Sequence, residues 1–332
     1  IEPLKNKISI LDGMTKLERI IITWRPVDFI ITRSKHLILP GFQGLPLYDV
    51  VLFLLRQIKK EGLNIRAAAI SFNLLMAIPP FLIFLFTLVP YLPGQQDFVR
   101  ELLRLIRDLT PNRETYIWVK DFIVDFTKPR SGLLSIGFIT AGFFASNAML
   151  GIMNSFNRSL HVMYRQKRNF LQSRGTALKL TFFIATIFMA SILLLISQGS
   201  ILRNVLRWMN IENDTIRWWI SSLRWIVILA LIYYAIGLIY RYAPAIQRKW
   251  NINSPGTILA TFLIVLLTIL FSYWVNNFGT YNKVYGSIGT VIILMSSFFF
   301  NSLILLIGFE LNVSINHLKM EAEIRQGKED KE

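Results

Sequence analysis

The chain has no cysteine and only three histidines, His36, His161 and His317. Without cysteine there is no disulfide framework, no thiolate nucleophile and no thiolate zinc site, and three scattered histidines leave little for another metal centre. Charge is scarce too: Asp, Glu, Lys and Arg make up 17% of the 332 residues, against about 25% in a soluble domain. Hydrophobic residues fill 53% of the chain and mean hydropathy is +0.47, which excludes intrinsic disorder and a core wrapped in a complete polar shell. No Gly-Lys-Ser/Thr phosphate loop is present, so the chain is not read as an ATP-driven pump by itself. No histidine has a neighbouring acid to share a metal, and no positioned acid–base pair is apparent. The expectation is a non-enzyme with no catalytic residue, no metal and no cofactor.

Long runs free of Asp, Glu, Lys and Arg are what the chain does have. They are Ala67–Gln96, Ser131–Asn157, Leu180–Leu202, Trp225–Tyr240, Asn251–Asn282 and Val284–Phe309. A spanning helix needs roughly 20 apolar residues. Five runs meet that outright, and Arg224 and Arg241 can snorkel to complete the fourth. Trp218, Trp219 and Trp225 at one end of that run and Tyr240 and Tyr242 at the other supply interfacial anchors. None of the runs reads as a cleavable signal peptide, since the first begins at residue 67. The predicted fold is all-α: a polytopic membrane protein of six transmembrane helices, with amphipathic N-terminal and extracytoplasmic helices.

The net charge of +16 invites nucleic acid as a partner, but the position of the bases gives another reason for it. Of 36 Lys and Arg residues, 24 fall on the side holding both termini and 12 on the other. By the positive-inside bias both termini are expected in the cytoplasm of a bacterial cell, with the spans in its cytoplasmic membrane. Arg158 to Lys179 is the clearest marker, with six basic residues and no acid. Membrane lipids with anionic headgroups are the expected partners, and nucleic acid is not. No protein partner or oligomeric state is legible.

The chain divides into cytoplasmic or interfacial N-terminal helices (1–66), the six-helix domain (67–315) and a cytoplasmic tail (316–332). Met14–Trp24 and Leu47–Lys60 mix apolar residues with Lys and Arg. They read either as interfacial helices on the anionic leaflet or as a helical cap packed on the bundle. Pro40-Gly41 and Gly44-x-Pro46 mark the break between them. The extracytoplasmic stretch 95–128 pairs Asp97/Arg100, Glu101/Arg104 and Arg104/Asp108 at helical spacing, and Pro111 opens a second helix, Asn112–Phe126.

Polar residues inside the spans form stripes. Asn147, Gly151, Asn154, Arg158, His161 and Arg165 share one helical face. Thr290, Ser297, Asn301, Gly308 and Asn312 form a second stripe, and Thr257, Thr261, Thr268 and Ser272 a third. Asn73, Ala77, Pro80 and Thr87 lie roughly on one side of the first span. These stripes are either helix–helix seams, where small and polar residues allow close approach, or the walls of a polar groove open to the cytoplasm through Arg158 and Arg165. In the groove reading, the second and third stripes oppose the first. Pro79-Pro80 is expected to kink the first span. Glu310, the one acid near a span, is expected to form a structural ion pair with Arg241 or with an arginine of the 158–174 segment.

Taken in order, these residues resemble a known family. They are Ala67-Ala68-Ala69, Pro79, Ser146, Asn157, Tyr164, Arg168-x-Phe170, Arg174, Tyr240-Arg241, Pro244, Trp250, Pro255-Gly256, Tyr281, Tyr285-Gly286 and Gly308-Phe309-Glu310-Leu311-Asn312. The set is similar to the YihY/BrkB membrane proteins, once labelled ribonuclease BN, over roughly residues 50–315. Phe72-Asn73 stands where such proteins commonly carry an aromatic pair, and the doubled proline and long basic N-terminus are less usual. The resemblance implies a six-helix protein of the bacterial cytoplasmic membrane without an established reaction. Three functions follow for comparison. Transport or transfer of a lipid or amphipathic anion draws on the stripes and the basic mouth. A non-catalytic scaffold for envelope assembly uses the same seams for packing. A ribonuclease lacks its ligand cluster.

Overall fold

The computed structural model describes residues 25–60, 62–88, 99–100, 103, 107, 113–126, 131–160, 166–196, 214–247, 249–277 and 279–329. Among them the secondary structure is nine α-helices: α1 (Arg25–Ser34), α2 (Leu47–Lys60), α3 (Leu63–Leu88), α4 (Arg113–Phe126), α5 (Ser131–Ser159), α6 (Phe170–Ile196), α7 (Asp214–Tyr242), α8 (Pro255–Asn277) and α9 (Gly279–Glu329). The all-α expectation holds. Each charge-free run falls in the main on its own helix, in the order α3, α5, α6, α7, α8, α9. Among the described residues four helical segments are long and apolar enough to cross a membrane: 135–159, 225–242, 255–274 and 291–324. A fifth is added if α2 and α3, bent by 70° at their break, count as one span.

The helix ends are written locally. At α8, Ser254 precedes Pro255, and the Ser254 hydroxyl accepts the Thr257 N–H at 3.3 Å. This is an N-cap followed by proline in the first helical position. Gly62 takes a φ of +59° between α2 and α3, a left-handed value that glycine adopts without Cβ strain. Pro79 and Pro80 lie inside α3, which is helical on both sides of them. The helix expected over 112–126 is present as α4. The charge pairs of residues 97–108 and the Met14–Trp24 segment lie outside the described residues.

The core sits at one end of the bundle. Phe156 of α5 stacks on Phe309 of α9 with centroids 3.9 Å apart and planes 2° from parallel, and Trp250 packs tilted against Phe309 at 5.3 Å. Tyr240 of α7, fully buried, donates its hydroxyl to the Leu305 carbonyl at 2.7 Å. Burial of such rings, with the phenol paired, supplies both area and register. α2 docks on α9 through Val50 and Leu54 against Leu311 and Ile315, while Val51 and Leu55 on its other side stay exposed.

The bonds at this end align the helices in alternating directions. The start of α3 reaches the end of α5 and Glu310 of α9 through Arg66. The end of α5 reaches the turn after α7, where Asn157 accepts the Ala245 N–H at 2.8 Å. Arg168, just before α6, donates to the carbonyls of Ala243 and Pro244 at 3.0 and 2.9 Å. The start of α8 reaches Asn312, whose Oδ1 accepts the Gly256 N–H at 2.9 Å. Arg66, Arg168 and the turn after α7 therefore meet at the same end of the described bundle.

Candidate functional site

Glu310 is fully buried and Arg66 nearly so, at 0% and 3% side-chain exposure. Arg66 Nη1 donates to Glu310 Oε1 at 3.0 Å and Nη2 to the Ser155 carbonyl. The Ser159 hydroxyl donates to the same Oε1. Among the described residues Glu310 pairs with Arg66, a partner the sequence reading did not name, and Arg241 lies over the Tyr242 ring at 5.6 Å. Arg66 escaped the sequence reading because it ended a charge-free run and was taken as a boundary. The signal was the three alanines after it, which allow close approach of a neighbouring helix. Desolvating both charges is costly, and only tight geometry with supporting hydrogen bonds offsets it.

Arg168 plays a capping role. Its guanidinium donates to the carbonyls of Tyr242, Ala243 and Pro244, at and just past the end of α7, and burial lowers its pKa from the ordinary arginine value. An arginine nevertheless stays protonated, so the cap is a fixed charge at the negative end of the helix dipole.

The stripes separate into two kinds. Those of α8 and α9 pack against each other near the start of α8, while Thr268 and Ser272 farther along α8 are exposed. A Cβ on Gly308 would stand 2.7 Å from the Gly256 carbonyl and 2.8 Å from Ala260 Cβ. Thr257 and Thr261 are buried beside them. Asn312 is buried as well and donates to the Ser254 hydroxyl at 2.8 Å while holding the Gly256 N–H. Asn312 thus belongs to a packing seam, not to the groove it was assigned to, because its amide completes the N-terminus of α8. Farther along, Ser297 and Asn301 are half-buried, and Asn301 donates to the Ser297 carbonyl at 2.8 Å within its own helix. The side chain of Thr290 lies outside the described residues.

The α5 stripe is of the other kind. Asn154 and Arg158 are exposed and Asn147 is half-buried. Gly151, between them, receives Asn73 of α3: a Cβ there would meet Asn73 Nδ2 at 2.7 Å. At the deeper end, Asn147 Oδ1 accepts from Arg174 Nη1 of α6 at 2.6 Å. Asn73, Asn147, Asn154, Arg158 and Arg174 therefore form a polar track along α5. The α8 and α9 seams are not its opposing walls, since they are spent on each other. His161 and Arg165 lie outside the described residues. Among the described residues no three His, Asp or Glu side chains converge on a point that would hold a metal ion.

Comparison with known proteins adds the following. The family model described as Virulence factor BrkB matches residues 54–332. The chain is 28% identical over 254 residues to the ribonuclease-like protein YfkH of Bacillus subtilis, covering 76% of this chain and 90% of that one. It is 24% identical over 274 residues to a UPF0761 membrane protein of Tolumonas auensis, covering 82% of this chain and 87% of the other. A UPF0761 membrane protein of Coxiella burnetii is 24% identical over 261 residues, 77% of this chain and 89% of its own length. No solved structure matches.

Proposed function

The chain belongs to the Virulence factor BrkB family, and from that premise we propose that it moves a lipid or an amphipathic anion along the polar track of α5. In this reading it is a six-span protein of the bacterial cytoplasmic membrane with both termini in the cytoplasm. Six spans are supported by the six charge-free runs on six successive helices and by the alternating bonds at one bundle end. Orientation is supported by the basic excess on that end.

The exposure of Asn154 and Arg158 carries the transfer reading. An arginine near a helix end can snorkel, but an asparagine is too short to reach the interface from within a span. An Asn kept on the outer surface of an apolar helix needs a polar companion there, and a passing headgroup or water supplies it. A packing seam would have buried Asn154, as the α8–α9 seam buries Asn312. The name of the Bacillus subtilis relative speaks of ribonuclease likeness. For this chain, no converging ligand set among the described residues supports that chemistry.

The test is lipid movement between leaflets. Protein reconstituted into vesicles of phosphatidylcholine and phosphatidylglycerol with a trace of fluorescent phospholipid should speed bleaching of inner-leaflet probe by a membrane-impermeant reductant. Asn154→Leu with Arg158→Gln should slow it. No movement above protein-free vesicles, from protein that is folded, would return the chain to the scaffold reading.

A further inference from the structure

Among the described residues Arg174 is a cation without an acid of its own. Neither α5 nor α6 contains Asp or Glu, and among the described residues its polar partner is one amide oxygen, Asn147 Oδ1 at 2.6 Å. The guanidinium plane is set a second time by the Phe143 ring, 4.6 Å from its centroid. Five N–H donors sit on that fork, so most remain to be used. The side chain is half-buried, and around it the surface is apolar: Ile139, Phe143, Leu171 and Leu178 are all exposed. Such a face meets acyl chains, not water.

Arg174 lies four residues past the start of α6 at Phe170, about 6 Å of helical rise, and exposed Lys179 follows it on the same helix, so the site sits toward the basic end of the bundle. The guanidinium is fixed in place there by an amide and a ring. A fixed charge in apolar surroundings needs a counter-ion, and the protein supplies none on either helix. The fork geometry suits two oxygens of one phosphate.

We propose that Arg174, held by Asn147 and Phe143 on the outer flank of α5 and α6, binds the phosphate of an anionic lipid that reaches it from the bilayer. The proposal rests on the transfer reading above and supplies its headgroup station: Arg158 and Asn154 line the track on α5, and Arg174 receives the headgroup beside Asn147. Leu171 and Leu178 line the path of the acyl chains.

The experiment measures lipid retained by the full chain. Protein in nanodiscs of phosphatidylcholine and phosphatidylglycerol in equal parts is extracted into detergent, and bound lipid is identified by native mass spectrometry. Phosphatidylglycerol should be retained over phosphatidylcholine. Arg174→Gln should lower retention about tenfold, the size of a lost charge-assisted contact. Asn147→Leu, which frees the guanidinium without removing it, should lower it less and serves if Arg174→Gln does not fold. Unchanged retention in a folded variant would overturn the site. Protection by inorganic phosphate without lipid retention would overturn its assignment to a lipid. Retention without movement between leaflets would sink the transfer reading and leave the site standing. Movement that persists in Arg174→Gln with unchanged retention would do the reverse.

Discussion

Arg66 and Glu310 stand 244 residues apart in the chain and 3.0 Å apart in space, joining the first long helix of the bundle to the last. Their pairing is supported from α5 by the Ser155 carbonyl and the Ser159 hydroxyl, so three helices meet on one carboxylate. Removing one charge strands the other in a dry site. Glu310→Gln should therefore cost about 3–5 kcal/mol, read as a lower melting temperature in detergent. The double variant Arg66→Met with Glu310→Met should recover much of the loss. Arg241→Gln should change little, and a large loss there together with a silent Glu310→Gln would contradict the pairing.

The α8–α9 seam predicts a contrast between glycines. Gly308→Ala drives a methyl toward the Gly256 carbonyl and Ala260, and overpacking of this kind costs about 1–3 kcal/mol. Gly142 of α5 has open space at its Cβ position, so Gly142→Ala should be neutral or stabilising by up to about 1 kcal/mol. Thermal unfolding of both variants in one detergent checks the order.

Arg168→Ala removes the donors that hold the carbonyls of Ala243 and Pro244. The turn from Ala243 to Ile246 is buried, and unpaired carbonyls there cost about 1–3 kcal/mol each. Hydrogen exchange should rise around the α7 end and the neighbouring Gln166, whose N–H binds the Ala245 carbonyl at 2.7 Å. Arg168→Lys should recover only part, since a point charge cannot reach several carbonyls as a fork does. Exchange that stays at the wild-type level in Arg168→Ala would show that the turn holds itself.

The helices were legible because a membrane span forbids charge and so leaves a run that can be read directly. The same rule hid Arg66, since it treats every charge as the end of a span, and a paired charge can sit inside the packed bundle. Stripe spacing revealed which residues share a face but not what faces them. The periods of Thr257–Thr261 and of Asn147–Asn154 look alike, yet Thr257 and Thr261 are buried while Asn147 is half-buried and Asn154 exposed. The difference lies in neighbours supplied by tertiary packing, Gly308 in one case and the bilayer side in the other. The start of α8 was more readable than it was taken to be, because Ser254-Pro255 is an N-cap signature and Asn312 answers a free N–H just behind it.

The absence of cysteine makes the α5 track directly testable. Single cysteines at Asn154 and Arg158 are expected to react with a membrane-impermeant thiol reagent applied to the cytoplasmic face, because both side chains are exposed. Cysteines at Ser155 and Ser146, on buried positions of the same helix, are expected to stay inert under the same conditions. Ser155 is the sharper control, one residue from Asn154 and so at nearly the same depth. Helical geometry turns successive side chains by about 100°, so a reactive 154 beside an inert 155 reports the face and not the level in the membrane. Only ionised thiols react, which requires water as well as access; lipid alone would leave Asn154→Cys silent. Equal reactivity at both positions would mean that the whole helix end is wet, and silence at both would mean that the track faces only hydrocarbon. Either result would count against a path for a polar headgroup along α5.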